Sequence, residues 1–184
     1  VSRRVVEVAP GRLDAWRLRF HENNADPDPP QRVVALERFD VDPVAVILVR
    51  RGGYAVGLSS GDSLLAHKVG SRYVQSRTAA GGWSQQRFAR RRANQADALV
   101  GAVAGHLLRL LSEAPAAARS PAGLVTGGDR LLVADVLRDR RLAYLSDLPR
   151  RDLGDVPDPN ASVLHRAVER AHAVRVTIEE RTRH

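Results

Sequence analysis

The chain has no cysteine. That absence excludes disulfides, zinc ribbons and thiol nucleophiles, and it leaves a cytosolic protein as the default expectation. Methionine is absent too, and the chain begins at Val1, so the native start is expected to lie upstream. No run of about 18 apolar residues occurs, which excludes a spanning helix by pattern. Residues Val1 to Val8 alternate charge with apolarity instead of forming the apolar stretch of a signal peptide. A soluble, cytoplasmic protein with no membrane partner is the expectation. Lysine is almost missing, Lys68 being the lone one among 29 basic residues. Arginine-rich coding bias accounts for arginine over lysine. It does not account for a formal net charge of +8, which favours a polyanionic partner.

Familiar catalytic signatures are lacking as well. There is no Walker P-loop, no dinucleotide-binding glycine fingerprint, no Gly-x-Ser-x-Gly elbow and no His-Glu-x-x-His helix. A metal nuclease of the ribonuclease H type needs carboxylates on adjoining strands, yet the central strand candidate Val44 to Val49 carries none. The histidines are scattered: His67 falls in a strand pattern and His106, His165 and His172 in helical ones, without a partner at ligand spacing, so each reads as structural. Neither a metal nor a cofactor is expected.

What is present is one domain's worth of core, since 184 residues at 43% apolar content suffice for one domain with a small appendage. "RRVVEVA" suggests a short strand, and Leu13, Trp16 and Phe20 recur at helical spacing. Prolines at 27, 29 and 30 then break regular structure, so residues 1–31 read as an N-terminal appendage and 32–184 as the main domain. "VAVILV", "YAVGLS" and "SLLAHKVGSRYVQ", separated by glycine turns, predict a three-stranded meander. A long helix follows from Gln85 to about Ser112, with Ala89, Ala93, Ala96, Val100, Val103, Leu107 and Leu110 as its apolar stripe. "GLVTGGDRLLVADVL" predicts a buried strand, a turn at Gly127 and Gly128, and a helix capped by Asp129. "RLAYLSDLP" reads as a short strand, "PNASVLHRAVERAHA" as a helix burying Leu164, Val168 and Ala171, and "VRVTIEE" as a last strand. The sum is a mixed α/β layer fold with helices packed on a mixed sheet.

One stretch stands apart: "AAGGWSQQRFARRRANQ", residues 79–95. Gly81 and Gly82 permit backbone angles that other residues avoid. An exposed Trp83 beside basic residues can stack on a base or ribose. Ser84 suits a helix N-cap, which puts Gln85 in the first turn. Arg87, Arg90, Arg91 and Arg92 then crowd the positive end of the helix dipole, where each cation is disfavoured by about 0.3–1 kcal/mol. Bound phosphates would reverse that penalty. The plain alternative is a glycine hairpin, a serine cap and a solvated arginine face. With Lys68, Arg72 and Arg77, the helix arginines make a candidate surface for rRNA and tRNA phosphates.

The order of meander, Gly-Gly-x-Ser-Gln loop, long helix and strand ending in Gly127-Gly128 resembles the central catalytic domain of the archaeal and eukaryotic class-one translation termination factors. More closely, "GGWSQQRFARRRANQ" resembles the actinobacterial-type branch of the Vms-like release factors, from about Val33 onward. The resemblance implies a ribonuclease H-like layer architecture. It also implies a peptidyl-tRNA hydrolase of ribosome rescue, acting as a monomer with the ribosomal large subunit, rRNA and peptidyl-tRNA as partners. Gln85 then takes the glutamine position, with Ser84 before it. Trp83 separates the glycines from Ser84, so Gln86 stays a second candidate. Two other readings are kept: a non-catalytic ribosome- or RNA-binding surveillance module, and a tRNA 3′-end nuclease of the same fold.

Overall fold

The computed structural model describes residues 1–26, 29–71 and 84–181, and the side chains of 84–89 and 92 lie outside that description. In chain order the elements are β1 (Ser2–Val8), α1 (Leu13–Glu22), β2 (Gln31–Glu37), β3 (Val44–Arg50), β4 (Gly53–Ser60), β5 (Ser63–Ser71), α2 (Ser84–Glu113), β6 (Gly123–Gly128), α3 (Arg130–Leu137), β7 (Arg150–Leu153), α4 (Ala161–His172) and β8 (Val174–Glu180). They fall into two compact units, Val1–Asp40 with Glu169–His184, and Val41–Val168.

In the first unit β8 lies between β1 and β2, antiparallel to both. Its alternation decides the packing. Val174, Val176 and Ile178 are buried with Val8 and Leu13, and Trp16 and Phe20 pack against them, ring centroids 5.1 Å apart. The expected boundary after residue 31 is therefore corrected: β2 and the C-terminal β8 belong with β1. Two strands alone are marginal, and β8 supplies the third. Glu7 on β1 accepts from Arg170 at 2.7 Å, which fastens the end of α4 to this sheet.

The second unit is a five-stranded sheet in the order β5-β4-β3-β6-β7. β3 pairs antiparallel with β4 and parallel with β6, and β6 pairs parallel with β7. Every residue of β3 from Val44 to Val49 is fully buried, as a continuous β-branched and aliphatic run requires. Ala45, Ile47 and Val49 meet α2 and α3 in one core cluster with Leu99, Val103 and Val136. On the other face α4 brings Leu164 to Gly57, where a Cβ would lie only 3.3 Å from Leu164 Cδ2. The mixed α/β architecture with helices on the sheet is thus what the chain forms.

Two details differ from the sequence expectation. "RLAYLSDLP" is a 3-10 turn over Ala143–Asp147, not a strand, because Leu142 and Leu145 are both buried three residues apart. The short strand comes next, at Arg150–Leu153. On α2 the fully buried positions are Leu99, Val103 and Leu107, with Leu111 close behind, while Ala93 is exposed. Of the expected stripe, Val103 and Leu107 are fully buried and Ala96, Val100 and Leu110 pack against the cluster, while Leu99 takes an inward place that the expectation did not include. The Asp129 cap forms as expected, its carboxylate accepting from the amides of Leu131 at 3.0 Å and Leu132 at 3.3 Å.

Gly128 ends β6 with φ of +94°, and a Cβ there would lie 2.2 Å from the Val49 carbonyl oxygen. Gly128→Ala is expected to destabilise the protein by more than about 2 kcal/mol, combining backbone strain with displacement of β3. Urea unfolding measures this, and an unchanged midpoint would refute it.

Candidate functional site

Topology fixes where the loop of residues 72–83 attaches. β3, β6 and β7 point the same way, and β5 runs in the same sense because two antiparallel steps separate it from β3. Ser71 therefore ends β5 at the carboxyl end of the parallel strands, opposite Gly53. The chain re-enters regular structure at Ser84, as the first residue of α2. α2 then travels to the opposite end, where Gly123 starts β6 beside Val44.

The helix is far longer than the sheet is deep. Its 30 residues span about 45 Å, whereas the seven of β3 span about 23 Å. Among residues with described side chains, Ala96 is the first on α2 to pack against the core cluster and Leu99 the first to be fully buried. About 16 Å of helix lies between Gln85 and Ala96. The surplus lies at the carboxyl end of the parallel strands.

The sequence candidates distribute as follows. Gly81, Gly82, Trp83, Arg72 and Arg77 lie outside the described residues, so the expectations of an open loop and an exposed tryptophan fall there too. Ser84, Gln85, Gln86 and Arg87 form the first turn of α2, and Arg92 lies further along it; the side chains of all five are undescribed. Arg90 and Arg91 are exposed on the projecting half. Lys68 is exposed on β5 opposite Val56, a member of the cluster under α2, so its side chain leaves from the same face of the sheet. No acidic residue occupies the first turn of α2. The four unsatisfied amides of a helix start and these cations give that end of the helix a positive field.

Sequence reasoning missed Tyr54. On β4 it sits opposite Gly70, and a Cβ on Gly70 would lie 2.4 Å from Tyr54 Oη, so the ring lies across the glycine. Its other neighbour is His106 of α2, stacked with ring centroids 5.6 Å apart and planes 19° from parallel. One aromatic side chain therefore ties the end of β5, where the chain leaves for the loop, to the helix that follows it. An aromatic covering a cross-strand glycine is a known device of sheets, and its signal becomes readable only once the register Tyr54↔Gly70 is known. His67 and His165 meet edge to face, centroids 6.4 Å apart, on the opposite face. Among the described residues no group of three side chains suited to a metal ion occurs.

A model of the Actinobacteria/chloroflexi VLRF1 release factor family matches residues 42–177. The chain belongs to this family. The match takes in the whole five-stranded sheet with α2 to α4 and runs into β8. No curated protein matches the chain in sequence. Membership in a release factor family assigns it a ribosome-associated role in release or rescue. Among the described residues, no helix is long and apolar enough to cross a membrane.

Since Tyr54 is buried between β5 and α2, Tyr54→Ala is expected to cost about 3–5 kcal/mol of stability, and His106→Ala about 0.5–1.5 kcal/mol. Chemical denaturation of the two variants checks this order. A Tyr54→Ala variant as stable as the parent would remove the clamp from the account.

Proposed function

We propose that the protein is a peptidyl-tRNA hydrolase that frees nascent peptides from stalled large-subunit complexes, using the Gly-Gly-x-Ser-Gln loop. The observation that supports this most is the position of Gln85 and Gln86 in the first turn of a helix that is much longer than the sheet it packs on. A catalytic group that must reach an ester deep in an RNA cavity has to stand away from its own fold. The Actinobacteria/chloroflexi VLRF1 release factor match supports the same reading.

The chemistry asked of the glutamine is modest. Water adds to the ester carbonyl carbon, the bond to the tRNA ribose oxygen breaks, and that oxygen leaves with a proton. A glutamine amide both donates and accepts hydrogen bonds, so Gln85 orients the water without deprotonating it. Backbone N–H groups at the helix start are free to stabilise the developing oxyanion. With no base of its own in the loop, the protein relies on the ribosome and the tRNA ribose for proton transfer. Free esters should therefore be poor substrates. The exposed Arg90, Arg91 and Lys68 supply affinity for phosphates around the site.

The direct test is incubation with large-subunit complexes carrying labelled peptidyl-tRNA. Released peptide with intact tRNA is the expected product, whereas a shortened 3′ end would identify a nuclease and no release a binding module. Gln85→Ala should abolish most release while leaving folding and ribosome association intact, because the residue acts in the transition state. Gln86→Ala should be milder, being about 100° further round the helix. Full activity in both single variants and in the double variant would sink the glutamine mechanism.

The cationic surface makes a separate prediction. Arg90→Gln with Arg91→Gln should weaken ribosome association and lower its salt slope by about 1 to 2, roughly one unit per lost phosphate contact. Binding measured across a salt series gives the slope. An unchanged slope would mean that these arginines are only solvated.

A further inference from the structure

At the same end of the second unit lies a cleft of about 770 Å³ that the proposed release chemistry leaves unused. It is framed by the carboxyl ends of β3, β6 and β7 and by the start of α3, the place where open parallel sheets hold ligands. We propose that this cleft binds a phosphorylated ribonucleoside, either a free nucleotide or one nucleotide of an RNA strand, with Arg51 and Arg130 on the phosphate and Asp155 at the ribose.

The charges of the cleft sort into those already engaged and those left over. Asp129 caps α3. Asp152 accepts from Arg150 Nε at 2.7 Å and from the buried Thr126 hydroxyl. Arg50 donates to the Val156 carbonyl at 2.7 Å and stands 3.6 Å from Asp158. Arg51 is held only loosely, its Nε 4.0 Å from Asp129 Oδ2, the carboxylate oxygen that the helix cap does not use. Arg130 is exposed and has no hydrogen bond or ion pair among the described residues. It also opens α3, where the dipole disfavours a cation.

Arg130 and Asp152 both line the cleft. Burial pushes Asp152 up, but hydrogen bonds from Thr126 and Arg150, joined by the charges of Arg150 and Arg130, outweigh it and hold the carboxyl below its ordinary value. Asp155 adds an independent observation. Among the described residues it alone, glycine apart, has a positive φ, 50°. Aspartate tolerates that conformation, but a backbone outlier lining a cleft is a mark of function more than of packing. The volume lies in the range of small-molecule sites and exceeds what a lone phosphate fills.

Among the described residues the lining of the cleft includes none from α2, and the test below reads nucleotide binding, not peptide release, so the inference stands or falls apart from the release reaction. The experiment is calorimetric titration of the full chain with AMP, GMP, CMP and UMP, and with a short single-stranded oligoribonucleotide. It uses the parent, an Arg51→Ala/Arg130→Ala double variant and Gln85→Ala. Saturable binding of at least one probe is expected, weakened at least about tenfold in the double variant and unchanged in Gln85→Ala. Mononucleotide binding identifies a free-nucleotide site; binding of the oligoribonucleotide alone identifies a contact for an RNA strand. Amide NMR shifts in the parent, expected at Gly128 to Leu131, keep the test valid if the double variant folds poorly. If no probe saturates, if the double variant binds as the parent does, or if those amides do not move, the proposal is wrong.

Discussion

The structure depends on the ladder that β3 forms on both of its edges. It hydrogen-bonds antiparallel to β4 and parallel to β6, and its faces are closed by helices, so every side chain from Val44 to Val49 is removed from water. Six buried aliphatic side chains contribute of the order of 10 kcal/mol, most of it lost if the register slips. That register also sets where both functional features sit. Pairing of Val49 with Gly128 brings the start of α3 to the end of β3, and pairing through β4 brings Ser71 to the same end. The attachment of the loop and the walls of the cleft are consequences of a single strand's pairing.

The second constraint is length. A helix laid on a sheet needs only the depth of that sheet, and the stretch from Leu99 to Leu111 covers about 18 Å of it. By length the helix exceeds that depth at its N-terminal side, and among the described side chains none before Ala96 packs on the core cluster. Surplus helix lacks the packing that ordinarily stabilises helices in proteins, so its sequence is free to serve another demand. Residues 85–95 are rich in arginine and glutamine, which are good helix formers and interact with polyanions.

Most of the second unit was legible in the sequence because its elements announce themselves locally. β3 is a continuous apolar run, β6 ends in a glycine pair, and Asp129 precedes a helical pattern. What stayed hidden depends on partners distant in the chain. β8 reads as a strand, but nothing in "VRVTIEE" says that its neighbours are β1 and β2, more than 130 residues earlier. The 3-10 turn at Ala143 was misread because a short apolar run shows too few residues to separate a period of two from a period of three. Tyr54 and the cleft escaped for the same reason: both are made by cross-strand register. The glutamine proposed for catalysis was legible only through a resemblance, since glutamine carries no charge or spacing pattern of its own.

Charge placement at helix ends links the two ends of the argument. α1 follows the usual rule, with Asp14 in its first turn and Arg19 and His21 in its last. α4 keeps half of it, with Arg170 and His172 in its last turn. α2 and α3 depart from it: neither has an acid in its first turn or a base in its last, and arginines stand near the start of each, although the carboxylate of Asp129 caps α3. Both helices begin at the carboxyl end of the parallel strands. Chance inversion on one helix would be unremarkable, since each misplaced cation costs only about 0.3–1 kcal/mol. Arginines at the start of two helices that share an end are cations that the dipoles disfavour, and a phosphate-bearing partner approaching that end turns each of those costs into a gain. A fold selected for stability alone would have placed acids at these positions, as it did with Asp14.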